Sequence, residues 1–247
     1  MTVPIGFATG FELIFEDDFR GVTLGSELWE HRLTQSIRYR SCQRAENVSV
    51  SDGSLRIAKR KERVDCEGTP KDYTGGGLVS KQSWVYGYFE ARIMLGTARG
   101  WHPAFWTTCS GGPTFKHANC AAPSEIPPRL TEIDVVEHDD WYNDSVYDAQ
   151  KYTCGIHTEP GVSYPFEPVE VPGADLGTEW HVYGAWHRQS AVMFFFDGSP
   201  VRTHTYYGDP AVHRVWLSAI SLANRTVVDA DLPDEMLVDW VKVYRDS

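Results

Sequence analysis

About a dozen short runs rich in β-branched and aromatic residues follow one another along this chain, separated by Gly-rich, Pro-rich or Asp-Gly turn signals. The clearest are FELIFEDDF, NVSVSDGSLRIAKR, GGGLVSKQSW, YGYFEARIML, PAFWTTC, TEIDVVEH, KYTCGIHT, HVYGAWH, AVMFFFDGSPVRTHTY, VHRVWLSAIS and MLVDWVKVYR. Such residues pack well on a pleated surface, so each run reads as a strand. Helical spacing of apolar residues is almost absent. In NVSVSDGSLRI, Val48 and Val50 alternate with Asn47 and Ser49, and Asp52-Gly53 turns the chain into Leu55 and Ile57, as in a hairpin with one buried face. In MLVDWVKVYR the apolar residues are nearly continuous, and alternation does not say which face is buried. The fold class is all-β: two packed antiparallel sheets.

With 247 residues and 42% hydrophobic content, the chain is long enough for one sizeable core, and a single domain over residues 1–247 is expected. A net charge of −11 would repel a phosphate backbone, and no basic stripe overrides it, so nucleic acid is excluded as a partner. No apolar run approaches the ~18 residues of a membrane span. The opening MTVPIGFATGFEL lacks the basic start and apolar stretch of a signal peptide, which for a secreted protein implies a leader already removed. Five cysteines show no CxxC spacing, against a zinc or thioredoxin-type site. Cys109 with Cys120, and Cys42 with Cys66, are candidate disulfides that leave Cys154 over. KERVDCEGTPKDYT, SGGPTFKHANCAAPSEIPPRL and EPGVSYPFEPVEVPGADLGTE read as long loops, of the kind that carry function.

The segment TEIDVVEHDD places Glu132, Asp134 and Glu137 within six residues. On an ideal strand Glu132 and Asp134 share one face and Glu137 points to the other. A β-bulge near Val135-Val136 would return Glu137 to the side of the other two. The two glutamates would then lie roughly 13 Å apart along the backbone at ~3.3 Å per residue, and both are long enough to lean inward toward the ~5–5.5 Å gap of a retaining glycosidase. One would attack the anomeric carbon while the other protonates the leaving oxygen, and mutual repulsion would split their proton affinities. Acids this close usually decorate a solvated strand. Here Ile133, Val135 and Val136 interleave them, as on a central strand. A divalent ion held by Glu137, His138, Asp139 and Asp140 is the other chemical reading of the stretch.

Glu132-Ile-Asp134-Val-Val-Glu137 resembles the Glu-x-Asp-x-x-Glu signature of glycoside hydrolase family sixteen. FEDDFRG, NVSVSDGSLRI, YGYFEARI, HPAFW, WHVYGAWH, FFFDG and MLVDWVKVYR are similar to the family's other landmarks in the same order, from about Phe11 to Arg245. The resemblance implies a jelly-roll sandwich of two curved sheets with a concave cleft. It implies a retaining endo-hydrolase of β-linked polysaccharide, with Glu132 as nucleophile, Glu137 as acid/base and Asp134 in support, and no cofactor for catalysis. It also implies a structural calcium on Asp18, the Gly53 carbonyl and Asp239. Sugar rings stack on aromatic faces, so Trp101, Trp106 and Trp141 are candidate platforms, with Asn47, His138 and His157 as hydrogen-bonding partners for sugar hydroxyls.

Two departures from the resemblance bear on the substrate. His102 stands in HPAFW where glucan-active members have tryptophan, with Trp101 one position early, and His187 stands where a tryptophan is usual, with Trp186 one residue early. β-1,3-Glucan of laminarin type is placed first, and a galactan of agar, porphyran or carrageenan type second. Transglycosylation on the same carboxylates is a further alternative. A lectin-like, non-catalytic jelly roll is the rival from another class. A secreted monomer acting on polysaccharide is the expectation.

Overall fold

Alternating residues put one face of each strand against a shared core, and the computed structural model shows how the strands divide into two layers. It describes residues 4–7, 9–33, 35–36, 38–109, 129–138, 148–159, 162–163, 168–207 and 211–246. Among these the chain forms β1 (Phe11–Asp17), β2 (Trp29–His31), β3 (Ser41–Gln43), β4 (Val48–Ser51), β5 (Ser54–Cys66), β6 (Thr69–Trp84), β7 (Gly87–Met94), β8 (His102–Thr108) and β9 (Arg129–Glu137). There follow β10 (Lys151–Glu159), β11 (Val162–Ser163), β12 (Pro168–Glu170), β13 (His181–Arg188), β14 (Ala191–Phe196), β15 (Ser199–Thr205), β16 (His213–Ile220) and β17 (Asp234–Asp246).

One layer runs β4-β5-β17-β7-β13-β14-β15, with β1 also paired to β17. The other runs β2-β6-β16-β8-β9-β10, with β11 and β12 on the outer edge of β10. The hairpin of β5 and β6 serves both: Leu55–Lys59 pairs with β17 in the first layer, and Gly76–Trp84 pairs with β16 in the second. Among the described residues every pairing is antiparallel except that of β3 with β6. This is the jelly-roll-type sandwich expected, and its core is filled from both sides. Leu55, Ile57, Phe89 and Ile93 meet Leu78, Phe105, Ile133, Ile156 and Leu217, all fully buried.

The β4–β5 hairpin forms as read, with Asp52 (φ 53°) and Gly53 (φ 72°) both left-handed in its two-residue turn. KERVDCEGTPKDYT, by contrast, is not a loop. It is the far half of the β5–β6 hairpin, turned by Glu67 (φ 52°) and Gly68 (φ 82°) and joined to β3 by a Cys42–Cys66 disulfide. Charged residues such as Lys61, Arg63, Asp65 and Asp72 are exposed there, so the segment lacks the apolar face that marks an ordinary strand. Cys109 is also disulfide-bonded; its expected partner, Cys120, lies outside the described residues. Cys154 is free and buried, and burial raises its thiol pKa to about 12, which leaves it unreactive. Among the described residues no helix is long and apolar enough to cross a membrane.

Candidate active site

The register of β9 decides where its acids point. Against β8, Trp106 lies opposite Asp134 and Phe105 opposite Val136, which leaves Val135 as an extra residue. Against β10, Gly155 lies opposite Asp134 and Thr153 opposite Glu137, so Cys154 alone spans two residues of β9. This is the β-bulge. Val135 and Val136 are 1% and 0% exposed and both join the core, while Glu132, Asp134 and Glu137 all line the same cavity on the other face.

That cavity is a cleft of about 690 Å³ across the β8–β9–β16 side of the sandwich. Alternation supplies its floor. His102, Ala104 and Trp106 of β8, His157 of β10, and Ser218 and Ile220 of β16 face the cleft, while Phe105, Ile156 and Leu217 between them face the core. Trp106 packs on Trp216 with ring centroids 4.9 Å apart and donates Nε1–H to Ser218 Oγ at 3.2 Å. The Arg32 guanidinium lies 5.5 Å from the Trp106 ring and 5.6 Å from Trp216, and donates to the Tyr39 hydroxyl at 2.9 Å. Arg32 is only 3% exposed, an arginine held at the cleft wall by aromatic faces rather than by a carboxylate.

Each glutamate has its own imidazole. His102 Nε2 lies 2.9 Å from Glu137 Oε1, and His157 Nε2 lies 3.5 Å from Glu132 Oε1 and 3.4 Å from Asp134 Oδ2. Burial, with the negative charge of Asp134 and Glu137 in addition, pushes Glu132 well above the usual carboxylate range, against the opposing pull of His157 and Arg32. Burial and Glu137 push Asp134 up likewise. Both acids therefore hold their protons more tightly than isolated carboxylates do. Beneath the floor, His213 bridges the sheet: its Nδ1 lies 2.9 Å from Thr107 Oγ1 and its Nε2 3.1 Å from the Leu130 carbonyl. The His187 ring lies 5.5 Å from that of His213, tilted by 53°, and sits 2.9 Å from the Tyr206 hydroxyl.

Of the expected sugar contacts, Trp106 and His157 line the cleft. Trp101 does not: it is 2% exposed and packs under Gly75, where an added Cβ would come 3.0 Å from its ring. It is His102, one residue on, that alternation turns to the cleft. Asn47 is buried at 2% exposure, and its amide donates to the Ala58 carbonyl and Thr74 Oγ1 at 3.0 Å each, a structural brace. His138 turns away to the Asp148 carbonyl, 3.0 Å from its Nε2. Trp141, Asp139 and Asp140 lie outside the described residues. His102 as the partner of Glu137 and Arg32 as the cleft-wall cation are not identified by sequence reasoning. The HPAFW departure was the one available signal for the first; nothing local marks the second.

Register brings the expected calcium set to one stretch of β17, since Asp17 lies opposite Val241 and Leu55 opposite Val238. Asp239, however, is paired with Arg92 at 2.6 Å, and Asp18 with Arg20 at 3.5 Å. Among the described residues, Glu132, Asp134 and His157 have ligand atoms within 4.8 Å of one another, the spacing of a metal cluster. The separate pairing of Glu137 with His102 alongside them completes an acid–base set.

The sequence profile of Glycosyl hydrolases family 16 matches residues 36–240. The chain belongs to this family. The family 16 enzyme is 29% identical to a "Beta-glucanase" of Rhodothermus marinus, over 96% of this chain and 86% of that protein. It is 24% identical to "Glucan endo-1,3-beta-glucosidase A1" of Niallia circulans over 96% of this chain, and spans only 38% of that longer protein. The crystal structure of LamAcat from Zobellia galactanivorans superposes with a TM-score of 0.78 at 25% identity, covering 94% of this chain and 97% of the other. This family 16 enzyme is a glycoside hydrolase with the jelly-roll architecture of its relatives.

Proposed function

We propose that the enzyme is an endo-acting hydrolase of β-1,3-glucan that works by double displacement with retention of configuration. The observation that carries the reading is the bulge at Val135, which turns both glutamates of one strand into one cleft and leaves each beside a different imidazole. Glu132 attacks the anomeric carbon, the glycosidic C–O bond breaks, and Glu137 delivers a proton to the leaving oxygen. The glycosyl–Glu132 ester is then attacked by water, which gives its proton to Glu137 and restores both groups. Asp134, with its raised proton affinity, sits between the two and holds a proton beside Glu132 when that carboxylate is charged. Trp106 offers an aromatic face to the sugar ring, and Arg32 and His157 offer donors to its hydroxyls.

The glucan assignment is supported by what the relatives are named for. One core shared by both sheets supports reading the chain as one catalytic unit. The Cys42–Cys66 disulfide, and a substrate too large to enter a cell, support secretion. Calcium fits poorly. With Asp239 paired closely with Arg92, the set offers few of the roughly six to eight oxygens that calcium takes. No step depends on it.

The test is reducing-end release from laminarin-type glucan, agar, porphyran and carrageenan by wild type and Glu132→Gln, with the anomer of the first product read by NMR. Release from the glucan as β-anomer, reduced ~10³-fold or more in the variant, is expected. Preference for a galactan would overturn the substrate, and α-anomer first would overturn the mechanism.

A further inference from the structure

We infer that His102 is a positioning residue for Glu137: its imidazole holds one carboxyl oxygen of the acid/base and so directs the catalytic proton from the other oxygen to the leaving group. The inference rests on the double-displacement reading of the cleft, and not on which sugar fills it.

The two imidazoles of the cleft are not equivalent. His157 divides its contact between Glu132 at 3.5 Å and Asp134 at 3.4 Å, whereas His102 Nε2 meets Glu137 Oε1 at 2.9 Å, the length of a full hydrogen bond. Burial raises the proton affinity of Glu132, and His157 and Arg32 are the groups that oppose it, so these two serve the nucleophile. His102 is itself fixed, 7% exposed and opposite Ile220 of β16 in register. The main chain of Glu137 is held from both neighbouring strands. On the β8 side the His138 N–H donates to the Pro103 carbonyl at 3.1 Å, and on the β10 side Thr153 Oγ1 donates to the Glu137 carbonyl at 3.3 Å. What those bonds leave free is rotation of the Glu137 side chain, and a hydrogen bond from His102 stops it.

A carboxylic acid can carry its proton on either oxygen, and a proton on Oε1 would face the imidazole instead of the sugar. An N–H donated to Oε1 makes that oxygen an acceptor and leaves the proton on Oε2. As Glu132 bonds to the anomeric carbon, the electron pair of the breaking C–O bond leaves with the glycosidic oxygen, which takes the Oε2 proton. Glu137 becomes charged in that step, and the N–H on Oε1 turns into a charge-assisted bond. The gain arises as the proton leaves, so it belongs to the transition state and raises kcat with little effect on KM. A leaving group that departs as a stable anion needs no proton and gains nothing from His102.

The experiment measures the polysaccharide that the whole enzyme cuts best, and phenyl, nitrophenyl and dinitrophenyl β-glycosides of its disaccharide unit. The variants are His102→Phe, which keeps a ring and loses the donor; His102→Asn, whose amide stops short of Glu137; His102→Gln, whose amide N–H can replace Nε2–H; and Glu137→Ala. Melting temperatures of each report folding, and either of His102→Phe and His102→Asn serves if the other folds poorly. In both, kcat on the polysaccharide should fall about 10- to 100-fold at little-changed KM, a part of the ~10²–10⁴ that a general acid supplies. The loss in kcat/KM should shrink along the aryl series and vanish on the dinitrophenyl glycoside. His102→Gln should recover most of it. Equal losses along the series, no loss at all, or a His102→Gln as slow as His102→Asn would overturn this inference alone. A Glu137→Ala that loses equally on every leaving group would overturn the acid/base reading of Glu137 and this inference with it.

Discussion

Glu132 and Asp134 carry a stability cost that follows from the direction of their shifts. Both bind protons more tightly folded than unfolded, so their contribution is fully present below the ordinary carboxylate pKa and is lost as pH rises through the folded one. Replacing Glu132 with Gln removes the buried ionisable carboxyl and keeps the shape. The variant should melt about 2–4 °C higher than wild type at pH 7, with the gain vanishing near pH 4, as calorimetry at the two pH values would show. A variant less stable than wild type at pH 7 would mean that His157 and Arg32 compensate the charge in full. The triplet itself is legible in the sequence, because three acids among core valines contradict their surroundings. His102 and Arg32 are less so, because their roles depend on strands far apart in sequence, and only the pairing of β8 with β9 puts His102 beside Glu137.

Strand irregularities account for what alternation could and could not reveal. The Asp52-Gly53 hairpin was legible because turn and apolar pattern agree. MLVDWVKVYR was ambiguous for the same reason that the catalytic strand works. β17 has an irregularity between Val238 and Trp240, so Met236 and Val238 before it, and Val241 and Val243 after it, all reach the core despite their odd offset. The far half of the β5–β6 hairpin was missed because neither face there is apolar; it is held instead by its turn, by β3 and by a covalent link. That link closes a segment with a sequence separation of 24. Replacing Cys42 and Cys66 together with Ser should therefore cost about 3 kcal/mol, read as a fall of roughly 6–12 °C in Tm. An unchanged Tm would show that the hairpin holds its place through hydrogen bonds alone.

Across the whole molecule, two imidazoles oppose the carboxylates. Burial lowers the pKa of His187 to about 3 and that of His213 to about 4. The unfolded chain, with histidine near 6.5, takes up protons first as pH falls, so both residues withdraw stability below that value, about 2 kcal/mol each by pH 5. The acids push the other way in the same range, and mutation separates the two. The stability difference between wild type and His213→Asn should narrow by about that amount between pH 7 and pH 5, in chemical denaturation at each pH. A constant difference would place the imidazole's protonation outside this window. The carboxylates stop helping once all are protonated, whereas the His213 penalty grows until about pH 4 and that of His187 until about pH 3. His213 joins β8, β9 and β16 directly under the acid triplet, through Thr107 and the Leu130 carbonyl. Acid tolerance in this scaffold is open to engineering at two residues that never touch a sugar.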